Sequence, residues 1–433
     1  MQTPNNSGQV NSPSSGKIKG MMGTTPGKLR LGMFAIFILA ICFAIAGYVG
    51  VSGARSSVNT IARDAVPSIV TAQSVRVKLL QMDSLAAQEF LAGGADSGAQ
   101  ARVKYEAVRQ ELGEQLTLAA KNISFGRDEQ TPIETLMDKV QAYNGLVEAA
   151  RANNRQGFPV GAAYLRMAST LLHNEMLPQT QAIDQLNVKQ LESEYASFKS
   201  ASVLHIGAIA ASGLALLVVL GYMQLFISKK MRRSFNLPLL AASVVVVALT
   251  AYSIVGMTLQ RSNLGAAKEA SFVSAYNWLE ARGAAYDAKT DQSLFLIALG
   301  AGAKYEESAK VKVEKLAAAA KTNVQGDSGS ALSALRAYVQ QDERIRSYDK
   351  SGKRSEAVNL ALGNGTKEAQ KAFDDLNQVL TANLKTATSS FEASIASAES
   401  NINLLDLAFV LLSLAVMGLA YFGLTPRINE YRA

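Results

Sequence analysis

The chain has 433 residues, 48% of them hydrophobic and 18% charged, with a formal net charge of +8. One cysteine excludes an intrachain disulfide, and with only two histidines it excludes zinc sites of ordinary spacing. The apolar content is high for a soluble protein and low for a polytopic transporter, because it is concentrated in four windows.

Those windows, 31–53, 203–227, 237–257 and 404–424, are nearly free of charge and long enough to cross a ~30 Å hydrocarbon core. Segment 1–30 precedes the first window. Its first 28 residues are Ser, Thr, Asn, Gly and Pro with little to bury, and they read as a disordered tail. The first window is longer than a signal-peptide core, so it reads as an uncleaved anchor despite Ser52-Gly53-Ala54 after it. Cys42 lies mid-span and reads as a small apolar core residue.

Next comes a polar, Ala-rich insert, 54–202. Gly and Pro are scarce within it, and helices are expected over 54–92, 98–123, 132–153 and 159–202. The breaks are AGGADSG (92–98), SFGRDEQTP (124–132) and NNRQGFP (153–159). Ile69, Ala72, Leu79, Met82 and Ala86 recur at spacings of three and four, a buried stripe on the first helix. Helices one and four run directly into the flanking spans.

Between the second and third windows lies the loop SKKMRRSFN, 228–236, with Lys229, Lys230, Arg232 and Arg233 and no acid. This loop, segment 1–30 and the tail 425–433 together carry +9. Asp406 carries −1, and the two long inserts are neutral. If all four windows span, the positive pieces share one face. By the positive-inside rule both termini and the loop are cytoplasmic and both inserts lie outside. The four basic residues are therefore topology anchors, compatible with contact to anionic lipid. Nucleic acid is not an expected partner, since no aromatic residue is interleaved and both ends of the loop are tied to the membrane.

The second insert, 258–403, repeats the first at an offset near 200 residues. EFLAGG (89–94) matches LFLIAL (294–299), AYNGLVEAAR (142–151) aligns with AYVQQDERIR (337–346), and AIDQLN (182–187) matches AFDDLN (372–377). Breaks are expected at ALGAG (298–302), QGDSGS (325–330) and KSGKR (350–354). The expected fold is an all-α integral membrane protein. It has four transmembrane helices and two tandem extracytoplasmic antiparallel four-helix bundles.

No phosphate loop, nucleophile elbow or kinase signature occurs, so neither enzyme chemistry nor a cofactor is expected. The spans hold no deep Asp, Glu, Lys or Arg, which argues against coupled transport. His205 reads as an interfacial anchor. The most individual stretch is NNRQGFPVGAAYLRMAS, 153–169. There Asn153, Asn154, Arg155, Tyr164 and Arg166 offer amide, guanidinium and phenol donors suited to a carboxylate ligand or a partner. The same stretch also reads as a plain turn, with Pro159 opening helix four. In the second insert, Tyr276, Trp278 and Tyr286 with Arg282 read as core or homodimer packing.

Each span–bundle–span unit resembles the sensing domains of bacterial chemoreceptors and sensor kinases. NRQGFPVGAAYLRMAS (154–169), Leu177-Pro178 and RRSFNLPLLAAS (232–243) sharpen that likeness. They resemble four-span actinobacterial membrane proteins that accompany a glutamine-binding lipoprotein and a soluble Ser/Thr protein kinase. The resemblance implies a bacterial plasma-membrane location and a relay of extracellular amino-acid status. The implied partners are an extracytoplasmic solute-binding lipoprotein and a cytoplasmic Ser/Thr kinase. The residues alone leave a structural scaffold or envelope-assembly protein as the alternative.

Overall fold

The computed structural model describes residues 24–93, 96–121, 123, 126–156, 159–231, 236–364 and 366–430. The expected N-terminal disorder, Arg232 and Arg233 lie outside the described residues. Among the described residues there is no strand. The helices are α1 (Thr25–Asn59), α2 (Val66–Ala92), α3 (Asp96–Lys121), α4 (Arg127–Arg155), α5 (Val160–Leu171) and α6 (Leu177–Met231). They continue as α7 (Leu237–Ala266), α8 (Val273–Ile297), α9 (Ala303–Thr322), α10 (Ser328–Lys350), α11 (Arg354–Leu362), α12 (Glu368–Ser400) and α13 (Leu405–Asn429).

Three π-helical segments join α1 to α2 (Thr60–Ala65), α5 to α6 (Leu172–Met176) and α7 to α8 (Ala267–Phe272). The first two end two residues before Pro67 and Pro178. A proline cannot donate to the carbonyl four residues back, and a wider turn relieves both the lost bond and the ring clash. No proline accompanies the third segment, and nothing in its sequence explains it.

Gly and Pro stand at most of the expected breaks, and two boundaries differ from expectation. The third helix was expected to open at Pro132, yet α4 begins at Arg127, within the expected break 124–132, and takes Pro132 into its second turn. In the second half, the expected fourth helix is broken after α11. Gly363 takes a left-handed conformation at φ +73° there, and Asn364 N–H donates to the Asn359 carbonyl at 2.8 Å. Only glycine adopts that conformation without strain.

The chain forms two compact units. One gathers Met1–Ser56, Ser197–Arg261 and Ala398–Ala433; the other gathers Ser57–Ala196 and Ser262–Ser397. The helical stretches Thr25–Ala92, Val160–Lys230, Leu237–Ile297 and Glu368–Asn429 are each long and apolar enough to cross a membrane, the last of them interrupted by a turn at 401–404 where Leu404 takes φ +57°. The molecule thus fits a multi-pass membrane protein.

In the first unit, Arg55 Nη1 meets Asp406 Oδ2 at 2.9 Å, joining the end of α1 to the start of α13. Asn236 Nδ2 donates to the Gly423 carbonyl at 2.7 Å, joining α7 to α13. Phe43 and Phe409 pack edge to face at 5.2 Å. The Phe409 ring lies where a Cβ on Gly47 would be, 2.1 Å from its nearest atom. A Cβ on Gly213 would meet Thr250 and Phe43, whereas a Cβ on Gly207 would meet open space. Cys42 is exposed at the surface of this unit and is not a core residue.

In the second unit the two halves do not keep separate cores. One hydrophobic cluster holds Leu79, Met82, Tyr143 and Leu172 of the first half together with Trp278, Leu279, Tyr338 and Leu376 of the second. The first helices of the halves meet, with Gly283 of α8 close to Leu80 and Val77 of α2. All five residues of the expected α2 stripe are buried. Trp278 is enclosed and donates its indole N–H to the Gln325 carbonyl at 2.8 Å. Tyr286 stacks edge to face on Phe373, so these aromatics serve the core.

Gly47→Ala drives a methyl into Phe409 and should cost about 1–3 kcal/mol, the usual penalty for overpacking. The expected result is a lower melting temperature of the full chain in detergent, partly restored by adding Phe409→Leu. An unchanged melting temperature in the single variant would contradict this packing.

Candidate functional site

A cleft of about 380 Å³ opens where the end of α2, the start of α3 and the end of α4 converge. It forms because α2 stops at Gly93, with φ +61°, and α3 restarts within three residues. Asn154 and Arg155 line it. Asn154 Nδ2 donates at 2.9 Å to the Phe90 carbonyl, which also accepts from Gly93 N–H at 3.3 Å, so the end of α4 is tied to the last turn of α2. Asn153 instead bonds the Ala149 carbonyl of its own helix at 2.8 Å. Tyr164 is half-buried against the core. Arg166 is exposed and lines a different groove with Lys304 of the second half. The five residues singled out by sequence therefore fall into separate surroundings, and only Asn154 and Arg155 share the cleft.

The residue at the cleft's base is Arg151, which sequence reasoning passed over. It is 7% exposed. Its Nε and Nη2 donate to Glu89 Oε2 at 2.9 and 2.7 Å, and Nη1 reaches Glu148 and, at 3.4 Å, Glu106. The guanidinium lies 4.6 Å over the Tyr105 ring. Such a buried charge is tolerable because each of its three nitrogens finds a carboxylate. At the rim, Arg102 and Arg155 are exposed and make no ion pair with a described residue. They give the mouth of the cleft positive potential suited to an anionic group.

A second polar constellation runs through the shared core. Tyr143 Oη donates to Asp83 Oδ1 at 2.9 Å, and Ser169 Oγ to Asp83 Oδ2 at 2.8 Å. His173, within the second π segment, has Nδ1 at 2.8 Å from the Ser169 carbonyl and Nε2 at 3.0 Å from Asp287 Oδ1. Lys312 reaches Asp287 at 2.7 Å and Asp291 at 2.6 Å. Both imidazole nitrogens face acceptors, an arrangement that satisfies only the doubly protonated ring. Burial alone would lower the His173 pKa, but the hydrogen bond and charge of Asp287, with Asp83 nearby, hold it at about 9. Burial would raise Asp287, yet His173 and Lys312 keep its carboxyl below the usual range. Asp83 is pushed up by burial, against the pull of His173, Ser169 and Tyr143.

The sequence markers Asp184 and Asn187 also have partners. Tyr276 Oη donates to Asp184 at 2.7 Å, and Asn187 Nδ2 reaches Glu129, at the start of α4, at 3.2 Å. Lys229 and Lys230 are exposed at the end of α6. Among the described residues, no three His, Cys, Asp or Glu side chains converge as a metal site.

Residues 57–196 match the family model described as the Actinobacterial sensor domain. These are the first-half residues of the second unit, the cleft and His173 included. No curated protein and no solved structure matches the chain. The match supports a bacterial sensor membrane protein and a role in sensing.

The raised His173 pKa makes a pH prediction. A group raised from 6.5 unfolded to about 9 folded stabilises fully below 6.5, and that contribution is lost as pH rises through 9. Buried Lys289 is lowered to about 8 by burial and works in the opposite direction, so the comparison must be between variants. The melting temperature of the full chain should exceed that of His173→Gln most at or below pH 6.5. The gap should narrow steadily up to pH 9. A gap independent of pH would mean His173 is not a buried cation.

Proposed function

We propose that the protein is a non-enzymatic membrane sensor that relays an extracytoplasmic signal to a cytoplasmic partner. The signal is a small solute carrying a carboxylate, such as an amino acid, or a solute-binding lipoprotein loaded with one. The partner is a protein kinase of the Ser/Thr class. The observation that carries this reading is the sensor-domain match over 57–196, the segment that holds the Arg102–Arg155 cleft. Four apolar helical stretches and the segregation of all net positive charge into three short pieces support the expected topology, with both termini cytoplasmic.

α6 supports the relay. It is one uninterrupted helix of 55 residues, from the residue after the His173 π segment to the basic loop. Rigid packed helices carry small displacements along their length, and π segments are places where a helix changes register at low cost. A ligand that alters the cleft shifts α4 and α5, and Ser169 and His173 lie on the path from there into α6.

Affinity purification of the tagged full chain in mild detergent tests the reading. A solute-binding lipoprotein and a soluble kinase should co-purify, and the double variant Arg102→Glu, Arg155→Glu should lose the lipoprotein while keeping the kinase. Recovery of the chain with copies of itself alone, or with envelope-assembly proteins, would replace the sensor by a scaffold.

A further inference from the structure

The alignment of AYNGLVEAAR with AYVQQDERIR pairs Tyr143 with Tyr338, Glu148 with Glu343 and Arg151 with Arg346. Each arginine lies near the end of the third helix of its half, and each is buried, 7% and 5% exposed. Each stacks on an aromatic ring at 4.6 Å, Arg151 on Tyr105 and Arg346 on Phe295. Their hydrogen bonding differs. Arg151 has carboxylates on all sides, whereas Arg346 donates only its Nε, to Asp342 Oδ2 at 2.7 Å. Its Nη1 and Nη2 are buried without a hydrogen-bond partner among the described residues.

The reason lies in the sequence. Aligning EFLAGG with LFLIAL puts Leu294 where the first half has Glu89, the main partner of Arg151. Glu306, which follows Tyr305 as Glu106 follows Tyr105, is taken by Lys350 at 2.8 Å. Glu343 is exposed and makes no ion pair with a described residue. Asp342 reaches only the Nε of Arg346, and its other oxygen is turned to Gln292 Nε2 at 2.8 Å. A guanidinium cannot escape this by losing its proton. Unpaired buried donors on a permanent cation are among the costliest features a fold can keep.

Arg346 borders a cleft of about 420 Å³, lined also by Glu306, Glu343, Ser347, Lys350 and Ser351. We infer that this cleft is a binding site for a small organic carboxylate, held in a bidentate pair by Nη1 and Nη2 of Arg346 with the Lys350 ammonium at its rim. The planar fork of two N–H donors matches the two oxygens of a carboxylate. The first half shows the same kind of partner from within, since Arg151 there holds the carboxylate of Glu89, through Nε and Nη2 on one oxygen. Glu306 and Glu343 in the wall oppose a doubly charged anion such as phosphate and favour a singly charged group. The ligand reaches the buried nitrogens by displacing the exposed Lys350–Glu306 pair. The site rests on second-half residues alone and stands apart from the sensor match, which ends at residue 196.

The test is equilibrium dialysis of the full chain in detergent with labelled acetate, succinate and glutamate at fixed ionic strength, with phosphate as the comparison anion. At least one carboxylate should bind with a Kd below about 1 mM, and phosphate about tenfold more weakly. Arg346→Lys keeps the charge and loses the fork, and it should weaken binding by about tenfold or more. Lys350→Glu changes only an exposed rim residue, so it decides the matter if the buried variant fails to fold, and it should weaken binding several-fold. The assignment is overturned if no carboxylate binds with a Kd below about 1 mM, on the order of a thousand times weaker than micromolar recognition. It is overturned equally if phosphate binds as tightly, or if binding survives Lys350→Glu while Arg102→Glu with Arg155→Glu removes it.

Discussion

Ionisable groups placed between helices must be paired, and the second unit is organised by that requirement. Asp83 of α2, Ser169 of α5, His173 of the π segment, Asp287 and Asp291 of α8 and Lys312 of α9 form one connected chain. Each link has a direction and a length, so the chain specifies how far each helix is rotated and slid against its neighbour. Apolar contacts between Ala-rich faces specify much less, because alanine faces slide past one another at little cost. The polar chain selects one register, and the shared hydrophobic cluster then stabilises it.

The π segment is what allows His173 to take part. Pro178 removes a backbone donor, the helix widens over Leu172–Met176, and the imidazole lies between a main-chain carbonyl and a carboxylate. The histidine stays charged because both its nitrogens are acceptor-bound. A local backbone irregularity is thereby converted into a fixed charge at the junction of the two halves.

How much of this was legible beforehand differs by kind of feature. Spans and breaks were legible, since charge-free windows and glycine-bearing turns act locally. The joint core was not. The stripe from Ile69 to Ala86 shows that α2 buries a face, but a stripe does not name its partner. In α8, Lys289, Thr290, Asp291, Gln292 and Ser293 are consecutive buried polar residues, a run that in sequence reads as a solvated face. In the cleft, Asn154 and Arg155 stood out because they lie in an unusual turn. Arg151 did not, because Glu148 three residues before it looks like an ordinary surface pair. Its decisive partner, Glu89, is 62 residues away. Long-range pairing of charges leaves no periodic trace.

The two halves solve one problem in different ways, and that difference bears on what a sensing unit needs. Replacing a buried ion network by apolar residues of similar volume is often neutral or stabilising, so such networks persist poorly on stability grounds alone. A unit that responds to its surroundings needs elements whose alternative arrangements lie within a few kcal/mol of each other. Charged groups between helices supply them, because moving a carboxylate by one bond length changes which donors are satisfied while the apolar core stays intact. In the first half Glu89, Glu106 and Glu148 together satisfy Arg151. In the second, Arg346 shares only Asp342, while Lys350 holds Glu306. The first arrangement is closed and rigid. The second depends on what enters from outside, and through Asp342, Gln292 and Lys289 it connects to α8, the helix against which the first half is packed.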